Sequence, residues 1–220
     1  LGDVYKRQTL RYKGFIMALI KLSNRGVRNV SEFGSVAPGS MIFIKKLTAS
    51  SSGDLTFLNG SSDVVFDSTY VEYLFTLKNI HPSSDPGIIS FQATTDGTNY
   101  NTTVTNTYFR AHHDEADSST GLAYATGFDQ AQGTAIINLD SGSGNDNDQA
   151  SSGLLRIFNP SSTTFVKNFI GQVSNSNDGD FNHNVFTAGY FNTTSAVTGI
   201  QFKMDSGNID AGDICLYGIN

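Results

Sequence analysis

Apolar and polar residues alternate with a period of two in one stretch after another of this chain. In YVEYLFTLKNI, residues 70–80, the side chains of Val71, Tyr73, Phe75 and Leu77 fall on one side, and Glu72, Thr76 and Lys78 mark the other. That spacing predicts a half-buried strand. TGIQFKM is cleaner: Ile200, Phe202 and Met204 point one way, Gln201 and Lys203 the other. Further strand-like runs are MIFIKKL, DLTFL, DVVF, GIISFQA, TNTYFRA, GLAYAT, GLLRIFN, TFVKNFIGQV, NVFTAGYF and DICLYGI.

Loops rich in Gly, Ser, Asn and Asp separate these runs: TASSSGD, NGSSD, TTDGTNY, DSGSGNDNDQ and SNSNDGD. Asp96-Gly97 reads as a hairpin turn, because such turns need a positive φ that Gly adopts without steric cost. Many short strands with turn chemistry at intervals of roughly 10 to 20 residues predict an all-β fold, a jelly-roll-like antiparallel β-sandwich. The stretch MALIKLSNRGVRNVSEFGSVAPGS, residues 17–40, lacks sustained alternation and carries Gly26, Gly34, Pro38 and Gly39. It reads as a short N-terminal arm or attachment segment, with one sandwich domain over residues 41–220.

Composition supports this picture. A chain of 220 residues suits a single core. Hydrophobic residues make up 38% and charged residues only 15%, so Ser, Thr, Asn and Gly cover the surface and helices are not expected. Charge is uneven: residues 1–46 carry +7 and residues 47–220 carry −13, for a net −6. An acidic body argues against nucleic acid, whose phosphates demand clustered Lys and Arg, and against anionic membrane surfaces. No run approaches the roughly 18 apolar residues of a membrane span. The single cysteine, Cys215, lies in the apolar run DICLYGI and reads as a buried inert thiol. No internal disulfide is possible, so an oxidising compartment is not implied.

The opening LGDVYKRQ is similar to a translated sequencing-library adapter, and LGDVYKRQTLRYKG has no hydrophobic period. Residues 1–16 are therefore expected to be non-native read-through, with a natural start at Met17. GFIMALI, after Arg11 and Lys13, is closed by Lys21 and Arg25 too soon to serve as a signal peptide.

The densest reactive-looking stretch is AHHDEAD, with His112, His113, Asp114, Glu115 and Asp117. Neighbours on an extended segment point to opposite faces, and the only other histidines, His81 and His183, are expected in different loops. The stretch therefore reads as a polar strand end, and no metal or cofactor is assigned. DSGSGNDND and SNSNDGD offer the oxygen ligands that calcium accepts, at Asp140, Asp146, Asp148, Asp178 and Asp180, without the full spacing of a calcium loop. Ordinary solvated turns are the simpler reading.

Nucleophile-elbow, zinc-protease and phosphate-loop motifs are absent from the sequence, and no catalytic residue is assigned. Glu72, mid-strand among apolar neighbours, reads as a charge on a solvent face rather than a tuned acid. Tyr100, Tyr108, Tyr124, Phe128 and Tyr190 have flat rings that stack on sugars when exposed, although aromatics in a sandwich more often fill the core. Ligand contacts are expected in the loops around Tyr100, Tyr108, His112, Tyr124 and Asn145.

Several blocks together resemble a family of virion or tail-fibre-like proteins of tailed bacteriophages that infect marine bacteria. They are MALIKL, NIHPSSD, SFQATTDG, YFRAHHDEADSSTGLAYATG, GNDNDQASSGLLRIFNPSSTTFVKNF and AGYFNTTSAVTGIQFKMDSGNIDAGDICLYGI. They span most of residues 17–220, and Cys215 departs from the Lys or Thr expected at its place. The biochemical role of this family is poorly defined, so the resemblance transfers no catalytic residue. It implies a non-enzymatic virion component (tail fibre, spike or appendage), folded in the bacterial cytoplasm and carried on the particle. Expected partners are other virion proteins, further copies of the chain as a homotrimer, and a host surface glycan. The alternatives are a secreted lectin-like carbohydrate-binding module and, behind it, a glycan-degrading enzyme. The last would need a carboxylate pair in a cleft, roughly 5 to 9.5 Å apart.

Overall fold

A computed structural model of the chain describes residues 41–220; the expected read-through segment and arm lie outside the described residues. Every element among the described residues is a strand, and there are thirteen. The larger sheet holds, in spatial order, β1 (Met41–Thr48), β13 (Ile209–Ile219), β3 (Glu72–Pro82), β9 (Ser151–Phe158), β10 (Lys167–Ser176), β11 (Phe181–Phe191), β5 (Val104–Asp114) and β6 (Thr120–Tyr124). β7 (Gln130–Gly133) pairs with β5 as well. The smaller sheet runs β2 (Leu55–Leu58), β12 (Gly199–Met204), β4 (Ile89–Thr94) and β8 (Ile137–Asn138). All pairings are antiparallel, and the two sheets pack as a sandwich.

Period-two alternation places the core between the sheets. Phe57 on β2 and Phe202 on β12 meet Phe75 on β3 from across the sandwich, with ring centroids 5.3 and 5.2 Å away. Phe91 on β4 meets Phe169 on β10 edge to face at 5.2 Å. Such pairs contribute about 0.5–1.5 kcal/mol each beyond the area they bury. Ile200, Phe202 and Met204 are buried as the alternation predicts. In β3 the ladder begins one residue late: Tyr73, Phe75 and Leu77 are buried, but Val71 precedes the strand and is 63% exposed. Glu72 lies half-buried at the start of β3, its Oε1 3.1 Å from Nη1 of the more exposed Arg156, so it is a paired charge rather than one on an open solvent face.

Three local expectations are corrected. DVVF is not a strand: Val64 and Phe66 are buried, but residues 61–67 form turns and irregular backbone. Phe66 N donates to Asn59 Oδ1, and Asp67 N donates to the Tyr73 hydroxyl, which itself donates back to Asp67 O. Side chains thus satisfy the backbone that a ladder would have satisfied. Asp96-Gly97 does turn, with Gly97 at φ +78°, but β4 and β5 belong to different sheets, so it begins a crossover rather than a hairpin. The Asp96 carboxylate accepts from Thr98 N and Asn99 N; these bonds, Asn99 foremost, hold its pKa well below the usual range. His81 and His183 lie on strands β3 and β11, not in loops.

Among the described residues nine strands face four, so part of the larger sheet has no facing strand. On β5 and β11 that part is filled differently from the main core. Tyr108 is fully buried against Phe128, ring centroids 5.0 Å apart, and its hydroxyl donates to the carbonyl of Asp140 at 2.7 Å. The loop after β8, rather than a strand, thus closes this end of the sandwich. Buried polar side chains gather here: Asn106, Asp140, Ser143, Ser151, Asn175, His183 and Thr187.

Candidate functional site

The three polar stretches AHHDEAD, DSGSGNDND and SNSNDGD, far apart in sequence, meet at this end of the molecule. Glu115 N donates to Asp180 O at 3.0 Å, tying the β5–β6 turn to the β10–β11 turn. Asn175 and Asn177 each donate through Nδ2 to Gly142 O, at 2.8 and 3.0 Å, which ties the second turn to the β8–β9 loop. Gln149 Nε2 donates to Asn177 O at 3.1 Å. Between the three segments lies an open cleft of about 560 Å³, lined among others by His113, Glu115, Asp148, Gln149, Asn177 and Phe181. Beside it, sharing Asn177 and Phe181, lies a second pocket of about 290 Å³.

The two spaces differ in charge. The larger is walled by Asp114, Glu115, Asp146, Asp148 and Asp180, and among the described residues no Lys or Arg lines it. Asp114 accepts from the Ser118 hydroxyl and from Ser119 N; these bonds lower its pKa and keep it ionised. The smaller contains Arg110, His112 and His183 and, among the described residues, no carboxylate. His112 and His183 are direct partners across the β5–β11 ladder, and both rings lie near Phe181, at 5.8 and 5.9 Å. Burial, reinforced by Arg110 and His112, lowers the His183 pKa to about 4.

Asp140 is also more than a loop carboxylate. It is fully buried: Oδ1 accepts from Ile89 N and Gly142 N, each at 3.2 Å, and Oδ2 accepts from the Ser143 and Ser151 hydroxyls. Desolvation outweighs these bonds and raises its pKa to about 6. With its oxygens thus engaged, Asp140 is a strut of the loop and not a calcium ligand. Among the described residues no group of three or more His, Cys, Asp or Glu is placed to hold a metal ion.

The five expected contact residues are scattered. His112 lines the smaller pocket, and Asn145 is exposed on the loop beside cleft residue Asp146. Tyr108 is excluded, because it is buried and its hydroxyl is occupied. Tyr124 lies on the edge strand β6, donating to Asp129 Oδ2 at 2.7 Å, and Tyr100 is half-buried near Thr56 and Asp54. Neither lines either space. The residues not singled out are Arg110, Gln149, Asn177, Phe181, Asn182 and His183. Most lie within or next to the polar stretches, but only the β5–β11 register shows that they converge. No family model, curated protein or solved structure matches the chain.

Proposed function

We propose that the chain is a non-enzymatic virion module of a tailed bacteriophage, part of a tail fibre, spike or appendage, that contacts a host surface glycan through the paired cleft. The observation that carries this reading is the convergence of three polar loops on an open space floored by Phe181 and edged by Asn177, Asn182, Gln149 and carboxylates. Amides and carboxylates match the donors and acceptors of sugar hydroxyls, and a flat ring covers the apolar face of a sugar. The family resemblance of the sequence supplies the virion context.

The core is a jelly roll in this reading. Setting aside β5–β7, β10 and β11, the chain visits the larger sheet with β1, β3, β9 and β13 and the smaller with β2, β4, β8 and β12. This leaves two four-stranded sheets, the count of a jelly roll. The added strands extend one sheet only, and the cleft is built on that extension.

A shallow, solvated cleft binds weakly per copy, so the reading includes a homotrimer that makes contact multivalent. Ile214, Cys215 and Leu216 of the apolar run DICLYGI are buried within the single chain, so covering them is not what favours a trimer. The test is retention of fluorescently labelled protein on candidate host cells, as free chains and clustered on beads. Retention of the clustered form, released by competing host polysaccharide, supports the reading. Equal absence of retention for both forms on cells that the phage infects overturns the glycan contact.

A further inference from the structure

We propose that the pocket between Arg110, His112 and His183 takes the oxyanion of an acidic sugar unit, carboxylate or phosphate, while the adjoining cleft takes the sugar hydroxyls. This inference rests on the glycan reading above and narrows it to a charged class.

The geometry begins with strand alternation. Arg110 and His112 are two residues apart on β5, so they project from the same face, and His183 stands opposite His112 on β11. The imidazole centroids are 6.2 Å apart with the rings nearly perpendicular, at 84°. Two polar atoms here are buried without a hydrogen-bond partner among the described residues, Nδ1 of His112 and Nδ1 of His183. His183 is only 5% exposed. A buried polar nitrogen left unpaired is destabilising, so this pair is placed to be completed by something that enters the pocket.

The surroundings select the sign of that ligand. Among the described residues Arg110 forms no ion pair, and its Nη1 donates to Ser141 Oγ. Ser119, Ser141 and Asn177 add hydroxyls and an amide to the lining, and no carboxylate among the described residues does. A cation would face the fixed guanidinium. An oxyanion would gain a charge-assisted contact from Arg110 and an N–H bond from an imidazole, and His183 gains a second donor on protonation. The charged groups that bear on His183 are Arg110 and His112 from β5, which oppose protonation, and Asp178 from the β10–β11 turn, which favours it. An anion in the pocket reverses the first effect, so it raises the His183 pKa.

The neighbouring cleft argues for a sugar rather than a free ion. Asp114, Glu115, Asp146, Asp148 and Asp180 repel a second anionic group but accept hydroxyl protons. A ligand with one charged substituent and an otherwise neutral polyol surface satisfies both spaces. A polyanion does not.

The experiment is imidazole and amide NMR of the whole chain, titrated separately with glucuronate, glucose 6-phosphate, inorganic phosphate and glucose. We expect the sugar anions to shift the His112 and His183 signals and raise the His183 pKa, with glucose leaving both imidazoles unmoved. The stronger of glucuronate and glucose 6-phosphate identifies the charged group, and each binds better than inorganic phosphate. Arg110→Gln weakens the sugar anions at least about tenfold, the loss of one charged contact; His112→Gln, a second lining residue on the same strand, repeats the direction if the first variant folds poorly. Imidazoles silent towards both sugar anions, or affinities unchanged in a folded Arg110→Gln chain, overturn the proposal. Glucose shifts confined to the Asn177 and Asn182 amides, with silent imidazoles, overturn it too and leave the glycan reading standing.

Discussion

The Tyr108 hydroxyl donates a 2.7 Å hydrogen bond to the backbone carbonyl of Asp140. This bond joins strand β5 to the β8–β9 loop and closes the end of the sandwich that the smaller sheet does not cover. Burial, the largest influence on the phenol, raises its pKa above the usual value, so the phenol stays protonated and donating. Tyr108→Phe leaves a buried carbonyl without its donor and should cost about 1–3 kcal/mol. For a chain of this size that is a fall of at least about 2–4 °C in Tm. Calorimetry that finds Tyr108→Phe as stable as the parent would show that the loop is held without this bond.

Asp140 and His183 should make stability depend on pH in opposite senses. The Asp140 pKa is raised from 3.8 to about 6, so the folded chain holds this proton more tightly than the unfolded one. Its contribution is complete below about pH 4 and is lost as pH rises to about 6. The His183 pKa is lowered from 6.5 to about 4, so its contribution is complete above about pH 6.5 and is lost as pH falls to about 4. Asp96, Asp114 and Asp213 have lowered values and act below this window. Relative to the parent, Asp140→Asn should gain stability as pH rises from about 4 to 6.5, and His183→Gln should lose it. A tenfold change in proton affinity is worth roughly 1.4 kcal/mol, so each effect amounts to a few kcal/mol. Urea midpoints across that range test this, and parallel profiles for parent and variants would refute the assignment.

Gly153 should tolerate no side chain. On β9 it lies opposite Val173 of β10 and Leu77 of β3, and a Cβ there would lie against Gln172 O and 2.7 Å from Val173 Cα. Both obstacles are backbone atoms, so relief requires the strands to part. Gly153→Ala should cost about 1–3 kcal/mol by overpacking. Gly53→Ala, with no atom within 4 Å of its Cβ, should change stability by no more than about 0.5 kcal/mol. Equal melting temperatures for the two variants would contradict the close strand approach.

Much of the sheet is legible where alternation is strict, because a strand with one buried face writes its period into the residues. Ile200, Phe202 and Met204 show this on β12. DVVF is not, since burial without a ladder produces the same apolar letters, and the acceptors that replace the ladder are Asn59 and Tyr73. Tyr108 misleads for a related reason. Val104, Asn106 and Tyr108 share the inward face of β5, and whether that face meets core or solvent depends on the distant Asp140 loop. The polar stretches of the cleft are conspicuous in the sequence, whereas their meeting is a long-range fact. It follows from the pairing of His112 with His183 and of Asp114 with Phe181, which local composition does not encode.

If the cleft is the contact surface, substitutions should separate it from the scattered tyrosines that the sequence alone suggests. Phe181 lines both spaces, whereas Tyr124, 52% exposed, stands on edge strand β6 outside them. Loss of a ring contact of about 1 kcal/mol lowers single-site affinity roughly fivefold. In a trimer that engages three sites at once, the effect compounds to about a hundredfold, within the range that linkage provides. Phe181→Ala should therefore abolish retention of the clustered protein on host cells while weakening the free chain only modestly. Tyr124→Ala should leave retention of the clustered form unchanged. Binding lost through Tyr124 and kept through Phe181 would move the contact surface to the β6 edge and away from the cleft.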